Sequence, residues 1–305
     1  MLSIRNITKK FPSVTALDNI SLSIGEKEFF GLLGPNGAGK STLMNLLVGY
    51  LDPDAGDILI GDQRVSKRNF AFRMNIGYVP QSLALYDELT PVENLEIFGQ
   101  LYNIPSKKLK EVIKEKLNAV ELYDRRKDLV KNFSGGMKRR LNLIAGLLHN
   151  PLILLCDEPT VGVDPQSRNA IFDYLIKLNE EGKTIIYTTH YMEEAERLCS
   201  HIAIIDAGKI ISHGTVEELL QQLPYNESIF ITKNQSTSGQ VELFRLFGAI
   251  TDNEDRFELK PDPSFKLSGF FHALEDNFIK YQNIELHRPT LEELFLHLTG
   301  RNLRD

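Results

Sequence analysis

Phe29-Phe30-Gly31-Leu32-Leu33-Gly34-Pro35-Asn36-Gly37-Ala38-Gly39-Lys40-Ser41-Thr42 is an apolar pentapeptide that runs into a glycine-rich turn. The pentapeptide has the length and continuity of a strand buried on both faces. The turn has the spacing Gly-x4-Gly-Lys-Ser, in which glycines let the backbone curl until successive N–H groups point inward at phosphate oxygens. A helical pattern follows from Thr42 to Gly49, and its positive end falls on the same anion. Lys40 is expected to reach the outer phosphates and the Ser41 hydroxyl to ligate Mg²⁺. The expected nucleotide-binding residues are therefore Gly34, Pro35, Asn36, Gly37, Ala38, Gly39, Lys40, Ser41 and Thr42.

Outward from this loop, residues 1 to about 80 read mostly as strands, with Asp57–Ile60 and Ile76–Val79 as candidates. From about 83 to 150 the pattern is helical. Thr90-Pro91-Val92-Glu93 is a capping box with proline at the first helical position. A second helix is predicted from Ser106 to about Val120. A third starts near Gly135 and carries Leu141, Ile144, Ala145 and Leu148 at helical spacing. Apolar runs return at Leu152–Cys156 and Thr184–Thr188, separated by a helix that Asp164-Pro165 opens and Gly182 ends. Such alternation predicts a parallel sheet with right-handed crossovers. A hairpin is expected over Ile202–Ile211, turning at Asp206-Ala207-Gly208-Lys209. The character changes after Leu223-Pro224, and a small α+β domain is placed over 222–305. Its strands centre on Ile229–Ile231, Arg256–Leu259 and Asn283–Leu286, with helices near Val241–Phe247 and Phe265–Glu275. Its closing helix, opened by the capping box at Thr290, is expected to bury Leu291, Leu294, Phe295 and Leu298 as one stripe.

Composition narrows the function classes. The 305 residues are 42% hydrophobic with a formal net charge of -6, which suits a sizeable core and argues against a general nucleic-acid binder. Lys138-Arg139-Arg140 lies in a helical pattern and reads as a solvated face. The two cysteines, Cys156 and Cys199, sit in apolar surroundings and read as buried thiols. The most apolar window, Leu141–Cys156, is broken by Asn142, His149, Asn150 and Pro151, so it does not read as a membrane span.

Ile153-Leu154-Leu155-Cys156-Asp157-Glu158 is an apolar strand ending in an acidic pair. After a phosphate loop, this is the pattern in which Asp157 holds Mg²⁺, directly or through water, and Glu158 polarises the attacking water. Phe133-Ser134-Gly135-Gly136-Met137-Lys138-Arg139-Arg140-Leu141 reads locally as a helix start, with Ser134 as its cap.

That segment resembles the signature sequence of ATP-binding-cassette (ABC) ATPases, and residues 1 to about 220 resemble their nucleotide-binding domain. The resemblance implies a P-loop NTPase, RecA-like α/β core with an antiparallel β subdomain and a helical signature subdomain over about 83–150. By this resemblance the nucleotide-binding domain would cover 1–221. Gln81, after Tyr78-Val79-Pro80, resembles the Q-loop glutamine that contacts Mg²⁺ or water. Val161-Gly162-Val163-Asp164 resembles the D-loop, His190 the switch histidine that senses the γ-phosphate, and Phe11 the aromatic that stacks on adenine. Ser134, Gly135 and Gly136 would bind the γ-phosphate of a nucleotide held by a second subunit. The sequence departs from the common family pattern at Phe11, Phe133, Met137 and Val161, where tyrosine, leucine, glutamine and a small polar residue are usual.

The tail Pro289–Arg301 resembles ATP-binding subunits of the drug-resistance and polysaccharide-export branch, the type 2 exporters of bacteria and archaea. The resemblance therefore implies an ATPase using ATP and Mg²⁺, paired with a second nucleotide-binding subunit as a homodimer. It would lie peripherally on the cytoplasmic face of the membrane, beneath an integral membrane permease, and would not bind nucleic acid. An importer ATPase and a non-transport ABC ATPase are the alternatives. The latter usually carry two cassettes or a long coiled-coil insertion, which this chain lacks. The C-terminal domain is expected to tune dimer closure rather than to take part in chemistry.

Overall fold

Apolar strands need cover on both faces when both are apolar, and this chain provides it by threading five parallel strands side by side between helices. The structure is a computed structural model that describes residues 1–67, 69, 71–223, 228–262 and 264–300. The chain divides into two compact units, the second starting at Glu217.

In the first unit the strands are β1 (Leu2–Phe11), β2 (Val14–Ile24), β3 (Phe29–Leu33), β4 (Ala55–Ile60), β5 (Gln63–Arg64), β6 (Ile76–Val79), β7 (Ile153–Asp157), β8 (Thr184–Thr189), β9 (His201–Asp206) and β10 (Lys209–Gly214). The helices are α1 (Lys40–Leu47), α2 (Pro91–Leu101), α3 (Ser106–Ala119), α4 (Gly135–Ala145), α5 (Pro165–Glu180) and α6 (Met192–Leu198), and α7 (Val216–Leu220) spans the junction. One sheet has the order β10-β9-β3-β8-β7-β6, parallel except for the edge hairpin strand β10. Every residue of β3, β7 and β8 is buried. A second, antiparallel sheet runs β2-β1-β4-β5. One apolar cluster joins the two sheets through α1, using Leu17, Ile20, Leu32, Met44 and Leu155.

The α2 start carries the capping box, with Thr90 Oγ1 accepting from Glu93 N–H and Glu93 Oε2 accepting from Thr90 N–H. The amphipathic α3 buries Leu109, Ile113 and Leu117 and turns Lys107, Lys108, Lys110 and Lys114 outward, and α4 buries Leu141 to Ala145. Lys138, Arg139 and Arg140 are not a solvated face. Lys138 pairs with Asp87 at 2.8 Å, Arg140 donates to the Val120 carbonyl at 2.8 Å, and Arg139 reaches two backbone carbonyls. The charge run lies among neighbouring loops whose carbonyls and carboxylates need donors, so its cations turn inward.

The second unit contains β11 (Ser228–Thr232), α8 (Val241–Arg245), β12 (Gly248–Asp252), β13 (Arg256–Pro261), α9 (Leu267–Asp276), β14 (Ile284–His287) and α10 (Leu291–Thr299). Its antiparallel sheet has the order β12-β13-β11-β14, the split β-α-β arrangement of ferredoxin-like units. Phe244, Phe257, Leu259, Phe270 and Leu274 form its core. α10 buries Leu291, Leu294 and Phe295, but Leu298 is exposed. The stripe ends a turn early, ahead of the left-handed Gly300 that stops the helix.

Candidate active site

The carboxyl ends of adjacent strands in an open parallel sheet share one edge, so side chains just beyond them meet. Here β3, β8, β7 and β6 are consecutive neighbours, and they release the phosphate loop, His190, Glu158 and Gln81 at that edge. The phosphate loop closes on a left-handed Gly39, φ 110°, where a Cβ would also stand 2.6 Å from the Ala16 carbonyl. Only glycine meets both demands.

Around it lies a cavity of about 590 Å³ lined by Phe11, Asn36, Gly37, Gly39, Lys40, Ser41, Thr42, Gln81 and Glu158, with Thr15, Ala16 and Gly208 completing the wall. Phe11, at the end of β1, is 39% exposed. The expected adenine platform and the phosphate loop therefore open on one space. Ser134, Gly135 and Gly136 do not line it.

Glu158 is the centre of the polar contacts. Lys40 Nζ lies 3.1 Å from Glu158 Oε1, and Gln81 Nε2 donates to Glu158 Oε2 at 3.0 Å. His190 Nδ1 stands 3.3 Å from the same oxygen, without hydrogen-bond alignment. The Lys40 ammonium also donates to the Gly34 and Pro35 carbonyls at 2.7 and 3.0 Å, so its three protons have three acceptors although the group is buried. The Glu158 backbone is left-handed, φ 45°, a conformation that costs a non-glycine residue on the order of 1–3 kcal/mol. It is held by its own N–H, which donates to the Thr188 carbonyl and to Thr188 Oγ1.

The residues fit a magnesium ion. Ser41 Oγ lies 3.3 Å from Asp157 Oδ1, and the same carboxylate oxygen accepts from Thr188 Oγ1 at 2.7 Å. Gln81 borders both Ser41 and Asp157 in the adjoining cavity. A hydroxyl, a carboxylate and an amide carbonyl are hard oxygen donors of the kind that hold Mg²⁺ together with substrate phosphates. Burial, then the neighbouring Asp157 charge, keeps the Tyr78 phenol protonated, its pKa pushed up, so it remains a donor beside that carboxylate.

The signature segment is built differently. Ser134 caps α4 by accepting from Met137 N–H at 3.2 Å, and Phe133 is buried behind it. Its two glycines have separate reasons. A Cβ on Gly136 would stand 2.2 Å from Ser167 Oγ, so this position is fixed by packing against α5 within the same chain. A Cβ on Gly135 would meet only the Gly162 carbonyl, at 3.8 Å, so nothing within the chain requires glycine there. Asp164 caps α5 by accepting from Ser167 N–H, and that bond lowers its carboxyl pKa.

Several residues that organise this edge carry no motif of their own. Thr188 joins Asp157 to the Glu158 backbone. Arg139 donates to the Gln81 carbonyl, and at 3.2 Å to the Val161 carbonyl. Burial lowers its guanidinium pKa. Thr160, Tyr187, Thr189 and Glu194 form a buried network behind the cavity. The only sequence signal for Glu194 is that it shares a helical face with Leu198.

Residues 17–161 match the family model described as ABC transporter. The chain is 41% identical to the linearmycin resistance ATP-binding protein of Bacillus subtilis (strain 168), covering 100% of both chains. It is 36% identical to the Nod factor export ATP-binding protein I of Cupriavidus metallidurans, covering 100% of this chain and 99% of that one. Among solved structures, a dimeric ATP-binding cassette in a post-hydrolysis state bound to ADP and Pi matches with a TM-score of 0.64 and 29% identity, over 70% of this chain and 98% of that one. A phosphate loop, an acidic strand end and a signature helix in this order, on a chain so similar along its whole length to such proteins, place it in the ABC transporter family as one of the ATP-hydrolysing, ATP-binding subunits.

Proposed function

We propose that this chain powers export, as a pair of identical copies on the cytoplasmic face of a membrane beneath a separate integral permease. The observation that carries the reading is the convergence of Lys40, Gln81 and His190 on Glu158 at one sheet edge. The similarity to resistance and Nod factor export subunits gives the direction of transport. No helix among the described residues is long and apolar enough to cross a membrane, which fits a motor whose passage for substrate lies in another chain.

In this reading Phe11 stacks on the adenine ring, and the backbone N–H groups of Gly34 to Gly39 and the α1 amino end hold the phosphates. Lys40 exchanges its loop carbonyls and Glu158 for the outer phosphates. Freed of Lys40, the Glu158 carboxylate takes a proton from the attacking water. Gln81 orients that water, and His190 steadies the phosphate being transferred. Ser41, Asp157 and Gln81 would hold Mg²⁺, which would supply neutralisation of phosphate charge. Ser134 and Gly135 complete the site of the second copy, and the unit after Glu217 tunes how the pair closes.

The reading is tested by isolating the tagged chain from membranes of its own host in mild detergent. An integral protein with several membrane-spanning helices is expected to accompany it in fixed ratio, and to raise its ATP turnover when the transported compound is added. Recovery with a periplasmic binding protein, or with ribosomes, would replace export by one of the alternatives.

A further inference from the structure

Behind the cavity, a carboxylate that touches no part of the expected nucleotide site is almost wholly buried. Glu194, on α6, is 3% exposed. Its Oε1 accepts from Thr160 Oγ1 at 2.9 Å, and its Oε2 accepts from Tyr187 Oη at 2.9 Å and from Thr189 Oγ1 at 2.8 Å. The nearest cation, Arg168, stands with Nε at 3.8 Å from Oε1. Thr160, Tyr187 and Thr189 are each 2% exposed or less. A buried carboxylate is costly unless its lone pairs are filled, and here three hydroxyls fill them.

The positions of those hydroxyls give the network its meaning. Thr160 is two residues beyond Glu158 and opens the segment that leads to Val161 and Gly162. Thr189 immediately precedes His190, and its hydroxyl also accepts from Tyr191 N–H at 3.0 Å. One carboxylate therefore ties the backbone on the far side of Glu158 to the backbone on both sides of His190. The near side of Glu158 is tied to Thr188. A left-handed non-glycine residue such as Glu158 persists only where its surroundings over-determine it, and Thr188 and Glu194 hold it from its two ends. Burial, then the Glu194 charge, pushes the Tyr187 phenol pKa well above its ordinary value, so this arm of the network stays a donor.

We propose that Glu194 is a positioning residue for ATP hydrolysis, a buried anchor that holds Glu158 and His190 in mutual register through Thr160 and Thr189. The proposal rests on the reading of Glu158 as the base and His190 as the phosphate contact. A base displaced by about 1 Å loses on the order of a hundredfold in rate while substrate binding is spared. The effect therefore falls on kcat rather than on ATP affinity.

The test compares five full-length chains: unaltered, Glu194→Gln, Thr160→Val, the double variant of these two, and Glu158→Gln. For each, kcat is measured per chain competent to bind a fluorescent ATP analogue, alongside KM and thermal stability. Glu194→Gln keeps the shape but places an amide where hydroxyls need an acceptor. It is expected to lower kcat about 10- to 100-fold, with KM within about threefold. Thr160→Val is expected to lower kcat by less, and the double variant to lose less than the product of the two, because both remove the same link. A Glu194→Gln chain whose kcat per ATP-binding chain falls by less than about threefold overturns the proposal, whatever its melting temperature, since a merely structural carboxylate would change only stability. If Glu194→Gln does not fold, Thr160→Val decides by the same threshold. Glu158→Gln separates the two levels. Loss of turnover there with normal Glu194→Gln turnover removes Glu194 alone, whereas normal turnover in Glu158→Gln removes the base assignment and the anchor with it.

Discussion

Two helix amino ends in this chain carry glycine and serine chemistry suited to phosphate, and they are furnished differently. The α1 end is surrounded by polar side chains: Lys40, Ser41, Gln81 and Glu158 line one cavity, and His190 reaches Glu158 from the adjacent strand. The α4 end has only its own cap, Ser134, and an unobstructed Gly135. Both have the fixed partial charge that attracts anions, but among the described residues only the first has the groups that the proposed reading makes act on one. In the proposed reading, each chain carries one reactive half and one binding half, which two copies bring together in trans.

Removing the reactive half of this contrast gives the largest effect. Glu158→Gln is expected to lower kcat by about 10²- to 10⁴-fold, the usual contribution of a positioned base, while ATP still binds and paired copies accumulate with ATP bound. Sizing chromatography with ATP present checks both. Near-normal turnover would leave the α1 end without its base and dissolve the distinction between the two ends.

A smaller effect separates the two signature glycines. Gly136→Ala forces a methyl against Ser167, and overpacking of this kind costs about 1–3 kcal/mol, read as a lowered melting temperature of the isolated chain. Gly135→Ala meets only ordinary contacts and is expected to keep the melting temperature, because glycine-to-alanine changes in a helix without a clash are neutral or slightly stabilising. Its defect should appear in ATP-dependent pairing. Equal loss of stability in both variants would mean that Gly135 too is held by packing within the chain.

The parts that could be read from sequence alone are those in which the backbone itself does the chemistry. A phosphate loop needs glycines at fixed spacing and a strand before it, and both are visible in Phe29 to Ser41. Capping boxes at Thr90 and Thr290 are equally local. What escaped depends on three-dimensional burial. Met192-Glu193-Glu194-Ala195-Glu196 offers three acids of identical type, and only packing shows that Glu194 alone faces inward. Lys138-Arg139-Arg140 read as solvated because a charge run carries no sign of the loop carbonyls that will surround it. The strand Gly248–Asp252 went unread because its end residues, glycine and aspartate, are poor strand formers, and it exists through pairing with Arg256–Pro261. Leu298 has the helical spacing of its stripe, yet the helix stops before that turn is covered.

If the signature end of one copy completes the nucleotide site of the other, two differently damaged chains should repair each other when mixed. Lys40→Ala disables the reactive half and Gly135→Asp the binding half, so each variant alone has two defective sites. When equal amounts are unfolded together and refolded, about half the pairs are mixed, and each mixed pair holds one doubly damaged site and one intact site. Turnover is expected to rise to about a quarter of the unaltered level, with each variant alone near zero. No rise above the separate variants, with mixed pairs demonstrated by mass spectrometry, would contradict the shared site.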